Sequence, residues 1–321
     1  MVARTNSNEI SITRVYDAPL QTVWEAWTDP DQAAQWWGPR GFTLTTHSKD
    51  LRPGGIWHYT MHGPDGTDYP NKAFYHVVET YKKLVYDHGG YDDRPPLFRV
   101  TVLFSESAGK TTMQMTMTLP TAEEAEATRK FIKAAGGNAT WDRLAEFLDE
   151  KEQGQHCFVI NRSFAAPVDL VFEMWTQPEH LSQWLPPIGF EMDILRADVR
   201  DGGDCFFRMS NRAEVTFYGK FEYREIVRPC RMVYVQRFCD EAEQTARHPG
   251  LPVFPEAMLV TVLLAAEDDF TTRVTVTSRP APTASAEEIN AFLQTRPSMT
   301  QGWTGSFDKL EAMVSTVANE V

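Results

Sequence analysis

Two histidines and a tyrosine in the segment IWHYTMH are the first side chains of this sequence that could do chemistry. A strand over Gly55–His62 would place His58 and His62 on one face, because side chains alternate along a strand. No carboxylate motif accompanies this pair, and a zinc site needs more than two ligands, so we interpret both as solvent-facing. The other face carries Trp57, Tyr59 and Met61. We expect this face to pack on a long helix, either as plain core or as the wall of a ligand pocket.

Three methionines alternate in the segment TTMQMTMTL, at Met113, Met115 and Met117, so one face of that strand is rich in sulfur. Methionine fills irregular gaps and adapts to ligands of changing shape. Two interpretations stay open, namely simple core packing and a pliable pocket wall.

Polar side chains on the same predicted strands could act as acids or bases inside a pocket. They are His47, Tyr59, Tyr75 and Gln114 in the first half, and Glu191, Arg208, Tyr223 and Arg273 in the second. A positioned Tyr or His with water excluded is enough for acid–base chemistry. No Ser-His-Asp order, phosphate-cradling glycine loop or dinucleotide fingerprint is present. We therefore assign no catalytic residue and expect neither a cofactor nor a metal.

These candidates belong to a unit that the sequence contains twice. Ile12–Phe42 aligns with Ile160–Phe190 at a constant spacing of 148 residues, and Trp36 recurs as Trp184. Further along, the tetrapeptide VTVL recurs at a spacing of 160, so the second copy has gained about twelve residues near Glu241–Pro255. We expect this insertion to be a long loop. The repeat predicts two domains, 9–150 and 157–318, with a domain–domain interface within the chain.

Each copy is predicted to contain a strand, two short helices, a run of antiparallel strands and a long C-terminal helix. In the first copy the strands are Glu9–Tyr16, Phe42–Asp50, Gly55–His62, Lys72–Thr80, Leu84–Asp87, Leu97–Phe104 and Lys110–Thr118. Apolar spacing predicts a helix after Pro19, and Pro30 starts a second one. The long helix covers Ala122–Leu148, interrupted at Gly136 and Gly137. This α+β order requires the long helix to cover one face of the sheet.

The overall composition is that of a globular protein, with 42% hydrophobic and 23% charged residues. A formal charge of −13 argues against nucleic acid and anionic membrane as partners, since both reward clustered Lys and Arg. No apolar run approaches the roughly 18 residues that a membrane span needs. All four cysteines lie in the second half without a CxxC pair, which favours reduced thiols and a cytoplasmic location.

The first copy resembles the helix-grip proteins of the START and birch-allergen-like (SRPBCC) superfamily. The resemblance rests on APLQTVWEAWTDPDQAAQWWGP, on RPGGIWHYTMHGPDG and on the late WDRLAEFL, and both copies share it. The pattern is most similar to the branch named for the activator homologue of a heat-shock ATPase. The resemblance implies a sheet of about seven strands gripping the long helix around an apolar cavity. It is similar, too, to tandem members of polyketide and enediyne biosynthetic pathways.

The resemblance implies that the protein binds an apolar or aromatic small molecule, polyketide- or polyene-like, with cyclase or aromatase activity open as an addition. Two alternatives remain: sequestration of a toxic metabolite without turnover, and regulation of a heat-shock ATPase, which only the family name suggests. The predicted ligand-binding residues are Trp37, Trp57, Tyr59, Met61, Tyr75, Met113, Met115, Phe207, Met209, Tyr223, Arg273 and Trp303.

Two tryptophan positions distinguish the copies. Trp36 recurs as Trp184, so we expect it to be structural, whereas Trp37 becomes Leu185 and is the better ligand-contact candidate. In the long helix, Gly137 stands where Trp303 would align if Trp141 pairs with Phe307. We therefore expect more room in the first cavity than in the second.

Overall fold

The computed structural model describes residues 8–134, 139–211 and 215–320 of the chain. The chain divides into two compact units, residues 1–154 and 155–321, called domain 1 and domain 2 below. Each unit has its own hydrophobic core. The four cysteines are free thiols. Among the described residues, no helix has the length and apolar character needed to cross a membrane.

Domain 1 follows the predicted order of elements. They are β1 (Glu9–Tyr16), α1 (Leu20–Thr28), α2 (Pro30–Trp36), β2 (Thr43–Lys49), β3 (Ile56–His62), β4 (Asp68–Glu79), β5 (Lys83–Gly90), β6 (Phe98–Ser107), β7 (Lys110–Thr118), α3 (Ala122–Ala134) and α4 (Ala139–Gln153). The strands form one antiparallel sheet in the order β1-β7-β6-β5-β4-β3-β2. The predicted break at Gly136 and Gly137 lies outside the described residues.

Domain 2 repeats this arrangement. Its elements are β8 (Phe158–Phe164), α5 (Val168–Thr176), α6 (Pro178–Trp184), β9 (Glu191–Ala197), β10 (Asp204–Asn211), β11 (Val215–Val227), β12 (Arg231–Cys239), β13 (Ala257–Asp268), β14 (Thr271–Pro280) and α7 (Ala286–Glu320). The sheet order β8-β14-β13-β12-β11-β10-β9 matches that of domain 1. The prediction of two tandem α+β helix-grip domains is therefore confirmed.

Local sequence explains where the short helices begin. Asp29 caps α2 by accepting a hydrogen bond from the backbone N–H of Gln32 at 2.9 Å, and Pro30 takes the first helical position. The indole N–H of Trp36 donates to the carbonyl of Ala26 at 3.0 Å, and Trp184 makes the equivalent bond to Met174 at 2.8 Å. Both indoles thus tie the two short helices together, in agreement with the structural role expected for Trp36.

Strand β5 is longer than predicted, and this difference matters for the site. The sequence predicts a strand over Leu84–Asp87, but pairing with β6 continues to His88 and the strand ends at Gly90. Side chains alternate along β5, so His88 lies on the same face as the buried Leu84 and Tyr86. The extension therefore brings a titratable group to the inner face of the sheet.

Candidate functional site

A large cavity lies in domain 1 between the sheet and the C-terminal helices. Its volume is about 810 Å³, within the range of ligand pockets in proteins. The sheet contributes the apolar side chains Ile12, Met61, Met115 and Met117, and the helices contribute Ile132 and Trp141. A neighbouring recess of about 170 Å³ shares Met61, Met115 and Trp141 and extends to Trp37 and Tyr86. Most of the wall is therefore apolar and includes two adaptable thioethers from β7.

His88 is a polar group on the inner wall of this cavity. Its imidazole stacks on Phe98 with the ring centroids 5.0 Å apart, and its Nδ1 lies 3.4 Å from the hydroxyl oxygen of Tyr59. Burial lowers the pKa of His88 from 6.5 to about 4, because the charged imidazolium loses its hydration. At neutral pH the ring is therefore uncharged and has one donor and one acceptor nitrogen.

Three tyrosines lie on the inner face of the same sheet: Tyr86 lines the recess, whereas Tyr59 and Tyr75 are buried in the core and do not line it. Burial raises the pKa of Tyr59, Tyr75 and Tyr86 above the ordinary value of 10.0, so their phenols stay protonated. Tyr75 and Tyr86 pair edge-to-face with their centroids 5.9 Å apart. The inner face of domain 1 therefore offers neutral hydrogen-bonding groups in an apolar setting.

Arg94 lies in the turn between β5 and β6 and lines the same cavity. Its Nε donates to the carbonyl oxygen of Gly89 at 3.0 Å, and its Nη2 donates to the carbonyl oxygen of Pro70. These two carbonyls hold the guanidinium in place beside the apolar wall.

Domain 2 has a smaller cavity of about 310 Å³ at the corresponding place. Tyr223 pairs with Tyr234 as Tyr75 pairs with Tyr86, so Gln236 on β12 is the counterpart of His88. Gln236 lines the second cavity together with Phe207, Met209 and Trp303. An uncharged amide thus replaces the imidazole.

The insertion between β12 and β13 forms part of the wall of the second cavity. It contributes His248, Leu251 and Phe254 to the wall of the second cavity. His248 lies against Phe217 and Phe238, with centroid distances of 4.7 and 5.0 Å, and burial lowers its pKa. Phe254 also approaches Phe292 of α7 at 6.1 Å. The inserted segment therefore adds aromatic and aliphatic side chains to the edge of the second cavity.

The predicted site residues divide into cavity walls and core. Six of them line the cavities: Trp37, Met61, Met115, Phe207, Met209 and Trp303. Five others are buried in the cores and are not part of these cavity walls: Trp57, Tyr59, Tyr75, Met113 and Tyr223. Arg273 pairs with Glu267 and donates to Asn161 at 3.4 Å, away from the second cavity wall.

The first cavity is the larger one, as expected, but the reason given, the loss of the Trp303 indole at Gly137, is corrected by the stacking of Trp141. Trp141 lies parallel to Trp27, with centroids 5.4 Å apart and an angle of 8°, as Trp303 stacks on Trp175 at 6.1 Å and 23°. An indole from the position of Phe307 therefore takes the role that Trp303 has in domain 2. Gly137 itself lies outside the described residues.

Two residues of this site, His88 and Arg94, were missed by the sequence reasoning. His88 could have been found by extending the alternation of Leu84 and Tyr86 by one step. Arg94 has no comparable signal, because a turn residue lacks periodicity and its direction depends on the carbonyls that hold it. No group of three or more His, Cys, Asp or Glu side chains is placed to hold a metal in the described ranges.

Comparison with known proteins gives one family and a set of similar folds. The family described as Activator of Hsp90 ATPase homolog 1-like protein matches residues 17–149 and again 165–315. Protein CV1439 from Chromobacterium violaceum is 24% identical over 49% of this chain and 96% of its own, with a TM-score of 0.38. A protein from Staphylococcus epidermidis is 25% identical over 49% of this chain and 98% of its own, with a TM-score of 0.42.

A third similar structure extends over both domains. DynU16, described as a protein in the dynemicin biosynthetic locus, covers 96% of this chain and 99% of its own at 17% identity, with a TM-score of 0.33. No curated protein matches the chain.

Proposed function

Because the chain belongs to the family of Activator of Hsp90 ATPase homolog 1-like proteins, in two tandem copies, we propose that it binds an apolar or aromatic small molecule. The ligand is polyketide- or polyene-like and occupies the cavity between each sheet and its C-terminal helix. The observation that carries this proposal is the cavity of about 810 Å³ in domain 1, with its wall of aliphatic, aromatic and thioether side chains. Such a wall gains free energy by excluding water from an apolar surface, at about 25 cal/mol per Å² of buried area.

Polar groups on the wall supply orientation. His88 offers one donor and one acceptor to a carbonyl or hydroxyl of the ligand, and Gln236 offers an amide at the corresponding place in domain 2. Both groups are neutral at pH 7 in this setting, so neither requires the ligand to carry a charge. A ligand with one or a few oxygens on an apolar body matches this arrangement.

Turnover is a second candidate function, and the contact between His88 and Tyr59 favours it. A neutral imidazole can accept a proton from an activated methylene through Nε2 when its Nδ1–H is donated to the Tyr59 oxygen. Tyr59 lies outside the cavity walls and would position the ring rather than contact the ligand. A cyclase of a polyketide-like chain would need little more than this pair and a dry cavity. Sequestration without turnover is the alternative outcome.

Native mass spectrometry of the full chain with 1,8-dihydroxyanthraquinone tests the binding proposal. We expect at most one ligand per cavity. Thr140, which lines both the domain 1 cavity and its recess, should block binding there when changed by Thr140→Trp. Thr13→Trp, on an exposed position of β1, adds the same indole outside the cavity and should keep wild-type stoichiometry. Equal ligand loss in both variants, or no binding to the wild type, would contradict the proposal.

The same mixtures separate turnover from sequestration when a linear polyketide-like probe replaces the anthraquinone. A probe whose mass stays unchanged, at one or two per chain, contradicts cyclase activity. Products formed beyond the amount of protein contradict pure sequestration. His88→Gln should abolish turnover while the protein still binds the probe, because the amide keeps hydrogen bonding but cannot accept a proton from carbon.

A further inference from the structure

The cavity of domain 1 carries one cationic side chain on a mostly apolar wall. Arg94 is the sole Lys or Arg among the described residues that line it. Arg94 is exposed and lines this cavity, so its guanidinium is accessible to an anionic group on a bound ligand.

The guanidinium of Arg94 is oriented but only partly used. The carbonyls of Gly89 and Pro70 accept from Nε and Nη2, and the Tyr91 ring centroid lies 5.9 Å from Cζ. Arginine has five N–H donors in a rigid plane. Within the described part of the chain, no protein atom accepts a hydrogen bond from Nη1 of Arg94. The N–H groups of Nη1 can therefore donate to a ligand.

The carboxylate on the cavity wall is already engaged. Glu124 accepts hydrogen bonds through Oε2 from the backbone N–H of Thr121 at 3.0 Å and from its hydroxyl at 3.2 Å. The Thr121 hydroxyl in turn accepts from the N–H of Glu124 at 3.1 Å, which completes a capping box at the start of α3. Glu124 therefore stabilises the helix and is not an ion-pair partner of Arg94.

Apolar side chains are exposed next to this cation. Leu97 is 57% exposed and Phe131 is 72% exposed, and both line the same cavity as Arg94. Large exposed apolar side chains beside a cavity mark a surface that a ligand covers. A cation and apolar surface at one cavity together fit an amphiphile, with an acidic head and an apolar body.

We propose that domain 1 selects ligands that carry a carboxylate, which pairs with Arg94 while the apolar body enters the cavity toward His88. This inference rests on the proposed function and specifies the ligand class for domain 1. The planar fork of arginine matches the geometry of a carboxylate.

Domain 2 provides an internal contrast. None of the described residues that line its cavity is Asp, Glu, Lys or Arg. The polar groups there are amide, hydroxyl and imidazole, including Gln236, Ser278 and His248. Domain 2 should therefore show no preference for an acid over the corresponding ester, and the acid selectivity of the full chain should arise from domain 1.

Fluorescence titration of the full chain with 1-pyrenebutyric acid and its methyl ester tests this inference. The tryptophans near the cavity, including Trp141, serve as energy donors to the bound pyrene. Near neutral pH we expect the acid to bind about tenfold more tightly than the ester, the size of one hydrogen bond to a charged group. The preference should fall with added salt, because the pair lies near solvent.

Arg94→Gln should remove the acid preference and leave the ester affinity unchanged. The matched control is Arg52→Gln, which removes a positive charge from an exposed position of domain 1 outside the cavity wall and should retain the preference. Arg94→Lys keeps the charge but loses the fork, so an intermediate preference is expected.

Three results would overturn the inference. If Arg94→Gln weakens binding of the acid and of the ester equally, Arg94 stabilises the turn between β5 and β6 and does not pair with the carboxylate. If the wild type binds the ester tightly and shows no preference for the acid, the inferred carboxylate selectivity is wrong, but the proposed function is not contradicted. Failure of the wild type to bind either probe would overturn both.

Discussion

His88 illustrates how one side chain acquires its properties from its position in the sheet. On an exposed strand end it would be an ordinary surface histidine, with a pKa near 6.5. The continuation of β5 places it instead against Phe98 and Tyr59, where burial keeps it neutral. The same shift that makes the ring a useful hydrogen-bonding group also makes domain 1 sensitive to acid.

Stability at acid pH should depend on His88. Its pKa is about 4 in the folded protein and near 6.5 when unfolded, so the unfolded state binds more protons between these values. The folded state therefore loses stability as pH falls from about 6.5 to 4, by about 3 kcal/mol at the lower end. We expect His88→Gln to lose less stability than the wild type over this range, as measured by urea unfolding at several pH values.

The exposed His47 provides the control for that measurement. His47→Gln should follow the wild-type pH dependence, because its ring lies on the outer face of the sheet. If the free energy of unfolding of His88→Gln falls with acidification as steeply as that of the wild type, His88 is not the group that makes domain 1 sensitive to acid.

At the scale of elements, alternation and helix-capping signals in the sequence predict the strands and helices. They do not predict which side chains contact one another. The strands and short helices followed from period-two alternation in segments such as Glu9–Tyr16 and from Pro19 and Pro30. The end of β5 was missed because two consecutive glycines are typical of a turn, although β4 still pairs with Gly90 and β6 with His88. Cavity volume depends on how side chains interlock, which a single sequence does not contain.

The indoles show the same limit. Sequence alignment placed Trp141 opposite Phe307, yet the stacking on Trp27 gives it the role of Trp303. An indole can occupy the same space from a helical position one turn away. The aligned position of a tryptophan therefore does not by itself specify which partner its ring stacks on. Of the predicted residues that line the cavities, Met61, Met115, Phe207 and Met209 came from strand-face assignment, and Trp37 and Trp303 came from comparing the two copies. Face assignment also predicted residues that the structure places in the core, such as Tyr59 and Met113.

The inserted segment of domain 2 is held at its edge by Arg247. Its Nη1 donates to the carbonyl oxygen of Phe254 at 2.8 Å and to Glu288 of α7 at 2.7 Å, and its Nη2 lies 3.0 Å from Glu256. Removing these contacts with Arg247→Ala should loosen the segment, because a loop with few remaining contacts opens more often. We expect several-fold faster chymotrypsin cleavage at Leu251 and Phe254, measured by mass spectrometry of the fragments.

Arg224→Ala is the corresponding control, since it removes an exposed ion pair with Glu222 on a strand of the same domain. Its cleavage pattern should match that of the wild type. Unchanged cleavage in Arg247→Ala would mean that the apolar contacts of Phe254 alone hold the segment.

At the scale of the whole molecule, the two domains share a fold and differ in their cavities. Each has its own sheet and its own buried core, with Trp36 central to one and Trp184 to the other. A cavity of about 810 Å³ with a cation contrasts with one of about 310 Å³ whose described wall has no charged Asp, Glu, Lys or Arg. We therefore expect the two cavities to differ in the ligands that they accept.

Separate cores predict that each half folds alone. Residues 1–154 and 155–321, produced as separate chains, should each unfold cooperatively, because each retains a complete seven-stranded sheet and its helices. Far-UV circular dichroism with thermal melting measures this, and Thr140→Trp in the first fragment should not prevent folding. Loss of cooperative unfolding in either fragment would show that its stability depends on the other half.

The equivalence of His88 and Gln236 has a genetic consequence. One gene encodes both positions, so a mutation at one of them leaves the other unchanged. For a compound that both cavities bind, loss of function would require two mutations in the same gene, one in each domain. For a compound that only one cavity binds, a single mutation suffices. The number of mutations needed for loss of function would therefore distinguish the two cases.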